Sequence, residues 1–115
     1  MPDRLDKLAV IWSSADAEVA RSAAFMYARN SLVRGWWHQV RLIVWGPSAK
    51  TLAFDADLQL ELTALADAGV ELYACKACAE SHGVGERLER IGVQVMYMGQ
   101  PLTDMLKQGW RVITF

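Results

Sequence analysis

Five short apolar runs, separated by stretches of helical periodicity, constrain this chain more than any other feature. Residues 8–12, 40–45, 70–74, 93–98 and 110–115 are mostly apolar and rich in β-branched and aromatic side chains. That pattern marks strands buried on both faces. Between the first two, Ser13, Ser14 and Asp16 are capping types, Asp16 and Glu18 suit the positive end of a helix dipole, and Val19, Ala23, Met26 and Tyr27 recur at helical spacing. A long helix is predicted to about residue 32, ended by Gly35, and the second strand stops at Gly46-Pro47. Asp55 or Asp57 caps the next helix, with Leu58, Leu62, Leu65 and Ala66 on one face and Gly69 at its end. Gly83, Gly85 and Gly92 divide the following segment into two short helical pieces, the second carrying Leu88 and Ile91. Pro101 opens a last helix with Leu102, Met105 and Leu106 inward and Gly109 after it.

Strands alternating with helices call for parallel pairing, and right-handed crossovers leave few ways to build it. The expected architecture is an α/β fold, a three-layer α/β/α sandwich around a five-stranded, mostly parallel sheet, with residues 1–115 forming a single domain. A chain of 115 residues, 53% hydrophobic and 22% charged, has room for one such core.

Composition excludes several function classes. A formal net charge of −1 supplies no broad field for nucleic acid or anionic lipid. The longest uncharged run, residues 91–103, is too short and too polar to cross a bilayer, so no membrane partner is expected. The first seven residues carry four charges, and no apolar signal-peptide core precedes Ser13. A cytoplasmic location follows as an expectation. Neither a G-x-G-x-x-G nor a G-x-x-x-x-G-K-[ST] run is present, which argues against a nucleotide. Five tryptophans and five methionines are much apolar bulk for so small a domain to cover, and self-association is expected.

In parallel sheets chemistry collects outside the carboxyl ends of the strands. The residues predicted there are Ser13-Ser14, Gly46-Pro47-Ser48, Cys75 to Cys78, and Gly99-Gln100. Cys75 and Cys78 form a C-x-x-C directly after the third strand, and residues 76–82 are good helix material ending at Gly83. A helix start favours thiolate over thiol, and Lys76 is placed to add to the effect, so Cys75 is the candidate nucleophile. Disulfide formation, persulfide transfer with one cysteine as acceptor and the other as resolver, metal ligation and plain packing are all open to the pair. A metal would draw on Cys75, Cys78 and His82, whose spacings of three and four align on a helix, with a fourth ligand from His38, a carboxylate or another subunit. A thioredoxin-like oxidoreductase fits less well, because the aromatic and Gly-Pro surroundings of that motif are replaced by Ala74 and Lys76-Ala77. Ser13, Ser14 and Ser48, with Gly46 and Lys76, are candidates for binding an anion or persulfide, although serines after strands also serve as turn and cap residues. Trp45 and Tyr97 either wall such a cleft or belong to the core. Trp36-Trp37-His38 falls at the opposite end of the sheet, where packing or an interface suits it better than chemistry.

These residues resemble the small DsrE-like proteins, which include the DsrE and TusD sulfur-relay subunits and the YchN-like homo-oligomers. The likeness runs from Leu8 to Phe115. It is carried by the first strand with its Ser13-Ser14-Ala15-Asp16 turn, by Gly69-Val70 leading to Cys75, by Gly83-Val84, and by the closing Gly109 to Phe115 segment. The resemblance implies assembly as a trimer or hexamer and a sulfur-carrying cysteine at position 75 that accepts a persulfide and passes it to a partner protein, with no cofactor required. Cys78 and Ser81-His82 depart from the relay subunits and look more like a C-x-x-C branch of the family. The alternative is a non-enzymatic homo-oligomer, binding or structural, whose cysteines are inert or hold a metal.

Overall fold

The computed structural model describes residues 6–115; residues 1–5 of the expected domain lie outside the described part. Its five strands are β1 (Lys7–Trp12), β2 (Gln39–Val44), β3 (Glu71–Cys75), β4 (Gln94–Met96) and β5 (Arg111–Thr114). They form one sheet in the order β4-β3-β2-β1-β5, every pair parallel. The helices are α1 (Ala17–Val19), α2 (Phe25–Val33), α3 (Ser48–Phe54), α4 (Ala56–Ala68), α5 (Lys76–His82), α6 (Gly85–Arg90) and α7 (Gly99–Lys107). A π-helical turn, Ala20–Ala24, joins α1 to α2 in one rod.

The strand order explains how the helices are distributed. From β1 through β4 the chain steps along the sheet in one direction, and right-handed crossovers in one direction deposit every connection on one face. The last crossover runs back from β4 past β3, β2 and β1 to reach the far side of β1, so it alone crosses the other face. Accordingly Leu8, Val10, Trp12, Leu42, Val44, Leu72 and Ala74 share one core with residues from the first rod and from α3 to α6. Ala9, Ile11, Ile43 and Cys75 point to the second face, where Met98, Met105 and Trp110 from the α7 connection cover them. The expected three layers are present, the third made, among the described residues, of α7 alone.

Caps and glycines set the element ends. The Asp16 carboxylate accepts the N–H groups of Glu18 and Val19, and that of Asp55 accepts Leu58 N–H. Gly69 ends α4 in the left-handed region at φ 103°. Arg21 ties the first rod to α4 through Glu61 at 3.3 Å and Asp55 at 3.9 Å.

Three sequence expectations are corrected here. The π turn rotates the first rod, so Ala20, Ala24, Phe25 and Ala28 are its buried apolar side chains, with Ser31 buried beyond them, and Met26 is exposed. Leu106 and Ala66 also face outward, because each lies one residue beyond the stripe anchored by Met105 and by Leu58, Leu62 and Leu65. Helix α3 was not expected, since seven residues after Pro47 carry too little periodicity to register.

Candidate functional site

Cys75 is the last residue of β3 and caps α5, with extended backbone at φ −69° and ψ 121°. Extended geometry at this position turns the strand directly into the helix, so the first-turn N–H groups of α5 point back at the residue that precedes them. Burial raises the Cys75 thiol. It is outweighed by the Cys78 N–H, the Cys78 thiol, and the N–H groups of Met98 and Ala77, which together hold Cys75 below the usual cysteine range. Met98 belongs to the entry into α7, so the amides on this sulfur come from two faces of the fold.

Cys78 behaves in the opposite way. Its Sγ accepts the Gly46 N–H at 3.1 Å. Burial, helped by the thiol and charge of Cys75, nevertheless pushes its thiol up against the lowering effect of that N–H and its own. The site is therefore an asymmetric pair, with the first cysteine favoured as thiolate and the second as thiol. Cys75 is 5% exposed and Cys78 is half-buried; neither is in a disulfide.

Gly46 holds its amide on Cys78 with φ +82°, a conformation that glycine supplies without strain. A Cβ there would also meet the Ser13 carbonyl at 3.4 Å. Lys76 lies at the exposed rim, but its ammonium sits over the Tyr97 ring at 5.4 Å and is not among the groups that lower Cys75. Tyr97 is exposed rather than part of the core, and its hydroxyl donates to Glu80 at 2.9 Å. The hydrogen bond and the charge of Glu80 raise the phenol. Trp45 is half-buried against the cluster that contains Cys75.

The serines do not join the pair. Ser13 donates to the Phe115 carbonyl at 3.3 Å, at the β1–β5 junction where the strand order reverses. Ser14 accepts from the Trp12 indole at 3.1 Å. Ser48 is fully buried, with its hydroxyl 2.6 Å from the Trp12 carbonyl and 3.0 Å from that of Trp45. The structure thus brings together Cys75, Cys78 and Gly46, with Lys76 at the rim, and gives the three serine hydroxyls local partners.

The Cys75–Cys78–His82 metal arrangement is not formed: among the described residues no three His, Cys, Asp or Glu side chains are gathered to hold an ion. Cys75 precedes the helix in extended geometry, so helical spacing does not apply to it, and His82 is exposed at the far end of α5. Trp36 is exposed at the amino end of β2, whereas the Trp37 indole donates to the Tyr27 hydroxyl at 3.1 Å. Missed by the sequence reading were Glu80 and the amides of Met98 and Ala77; backbone donors carry no side-chain signal. No described helix is long and apolar enough to cross a membrane.

A five-stranded parallel sheet with a C-x-x-C at the carboxyl end of its third strand defines a class of small α/β proteins built around a thiol pair. The chain belongs to the DsrE/DsrF-like family, whose profile matches residues 6–115. Among solved structures it is similar to a conserved protein of unknown function from Bacteroides thetaiotaomicron, with 35% identity, a TM-score of 0.93, and 100% and 99% of the two chains covered. The E. coli ychN protein shares the fold at 16% identity and a TM-score of 0.73, over 96% of this chain and 99% of its own. A protein of unknown function from Methanobacterium thermoautotrophicum does so at 18% identity and 0.74, over 95% and 98%. Among curated proteins none matches significantly.

Proposed function

We propose that this protein is a sulfur carrier in which Cys75 accepts sulfane sulfur as a persulfide and surrenders it to an acceptor protein in a reducing, cytoplasmic setting. The observation that carries this reading is the placement of Cys75 as the buried residue that caps the start of α5, where the Cys78, Met98 and Ala77 amides lower its thiol and favour the anion that must attack a donor. Membership of a family associated with sulfur relay supports it. Because Cys75 is only 5% exposed, the donor must present its sulfur on a slender group, or the rim of Lys76 and Tyr97 must part.

The chain is read in addition as one subunit of a homo-oligomer, a trimer or hexamer. Supporting this, α7 alone covers the second sheet face, and Met96 and Tyr97 remain exposed beside it.

The test is intact mass of the reduced protein after exposure to a small persulfide donor. The Cys78→Ala chain is expected to gain the mass of one sulfur atom and the Cys75→Ala chain none. A Cys78→Ala chain that gains nothing overturns the carrier reading.

A further inference from the structure

We propose that Cys78 is a resolving thiol that discharges loaded Cys75 as free hydrosulfide, making the protein a dithiol-dependent persulfide reductase as well as a carrier. The inference rests on the reading that Cys75 takes up sulfane sulfur.

Three structural observations support it. The cysteines flank the start of α5, one capping it and the other in its first turn, so both thiols belong to the same helix end. A pair placed three residues apart across a helix start can close to a disulfide by side-chain adjustment. Second, the Gly46 amide, fixed by a left-handed turn in a different loop, rests on Cys78 Sγ at 3.1 Å, the atom that must carry negative charge as it attacks. Third, with both thiols at one helix end, the atom of loaded Cys75 that a disulfide to Cys78 uses is its own Sγ, the inner atom of the persulfide and not the outer one. Attack there expels the outer sulfur, whereas attack on the outer atom would merely move it between cysteines.

The step balances within the site. Loaded Cys75 carries –S–S⁻ and Cys78 carries –SH. The Cys78 proton passes to the outer sulfur as Cys78 Sγ bonds to Cys75 Sγ and the bond to the outer sulfur breaks, releasing HS⁻. The outer sulfur is reduced by the electron pair that the two cysteine sulfurs give up in joining. A dithiol reductant then restores both thiols.

Reduced wild type, Cys78→Ala and Cys78→Ser would be treated anaerobically with a small persulfide donor and freed of excess, followed by measurement of intact mass, thiol content and released sulfide. Wild type is expected to release stoichiometric sulfide, to lose both thiols and to end two hydrogens lighter than the reduced chain. Both variants are expected to keep the added sulfur and release none until dithiol is supplied. Wild type that retains the added sulfur, on Cys75 or mapped to Cys78, overturns the resolving role while leaving the carrier reading intact. Variants that never take up sulfur overturn both.

Discussion

Hydrogen-bond donors, rather than burial, distinguish the two thiols. Cys75 collects N–H groups from Ala77, Cys78 and Met98 together with the Cys78 thiol, while Cys78 has those of Gly46 and itself. Because the folded value of Cys75 lies below its ordinary 9.0, its thiolate persists to lower pH in the native chain than in the unfolded one. The stabilisation this confers is complete above the unfolded value and is lost as pH falls through the folded one. Cys78→Ala removes one donor, so the pH midpoint for alkylation of Cys75 should move upward; an unchanged pH–rate profile would contradict the assignment. Gly46→Ala forces a side chain into left-handed backbone and is expected to cost about 1–2 kcal/mol in urea unfolding. It should also move the pH midpoint for alkylation of Cys78 upward, by pulling off its sulfur the amide that lowers that thiol. Cys75, Cys78 and Gly46 were legible because cysteine spacing and a glycine after a strand are written in side-chain identity. Glu80 and the Met98 amide were not, since what matters there is where the chain returns in space.

The elements that frame the pair differ in how strongly they are anchored. Helix α5 is short and contributes Ala79 as its buried residue, so the Cys78 end of the site leans on the loop that carries Gly46. Helix α7 is the only described helix on its sheet face and is held by Met105, which is 1% exposed. Met105→Ala should destabilise the fold by about 2–5 kcal/mol in chemical denaturation. By loosening the Met98 amide it should raise the alkylation midpoint of Cys75 as well, a shift that a merely emptied core elsewhere would not produce. Strands and capped helices could be read from the sequence, since Asp55, Gly69 and the apolar runs each act locally. The π turn could not: its extra residue is set by how Ala20, Ala24 and Phe25 seat against the sheet, with Phe25 edge-on to Trp12 at 5.5 Å.

At the scale of the whole molecule, one reversal of strand order produces both the open sheet face and the placement of Cys75 on it. That face carries Arg41 stacked 4.5 Å over the buried Trp110 and paired with Glu71 at 2.8 Å. Met96 shares this side of the sheet with Cys75 and is 38% exposed. On the proposed reading as a homo-oligomer, Met96→Glu should leave thermal unfolding of the chain cooperative while lowering the sedimenting mass; an unchanged sedimenting mass would count against this face as an interface. The fold class was legible because crossover handedness admits few solutions, whereas the uneven cover depends on where β5 inserts, which periodicity does not encode. That Cys75 carries sulfane sulfur is tested most directly by cyanide extraction, because cyanide takes sulfane sulfur as thiocyanate and leaves ordinary thiols untouched. Donor-treated Cys78→Ala protein should yield stoichiometric thiocyanate and Cys75→Ala none; thiocyanate undiminished by loss of Cys75, or absent from both, would contradict it.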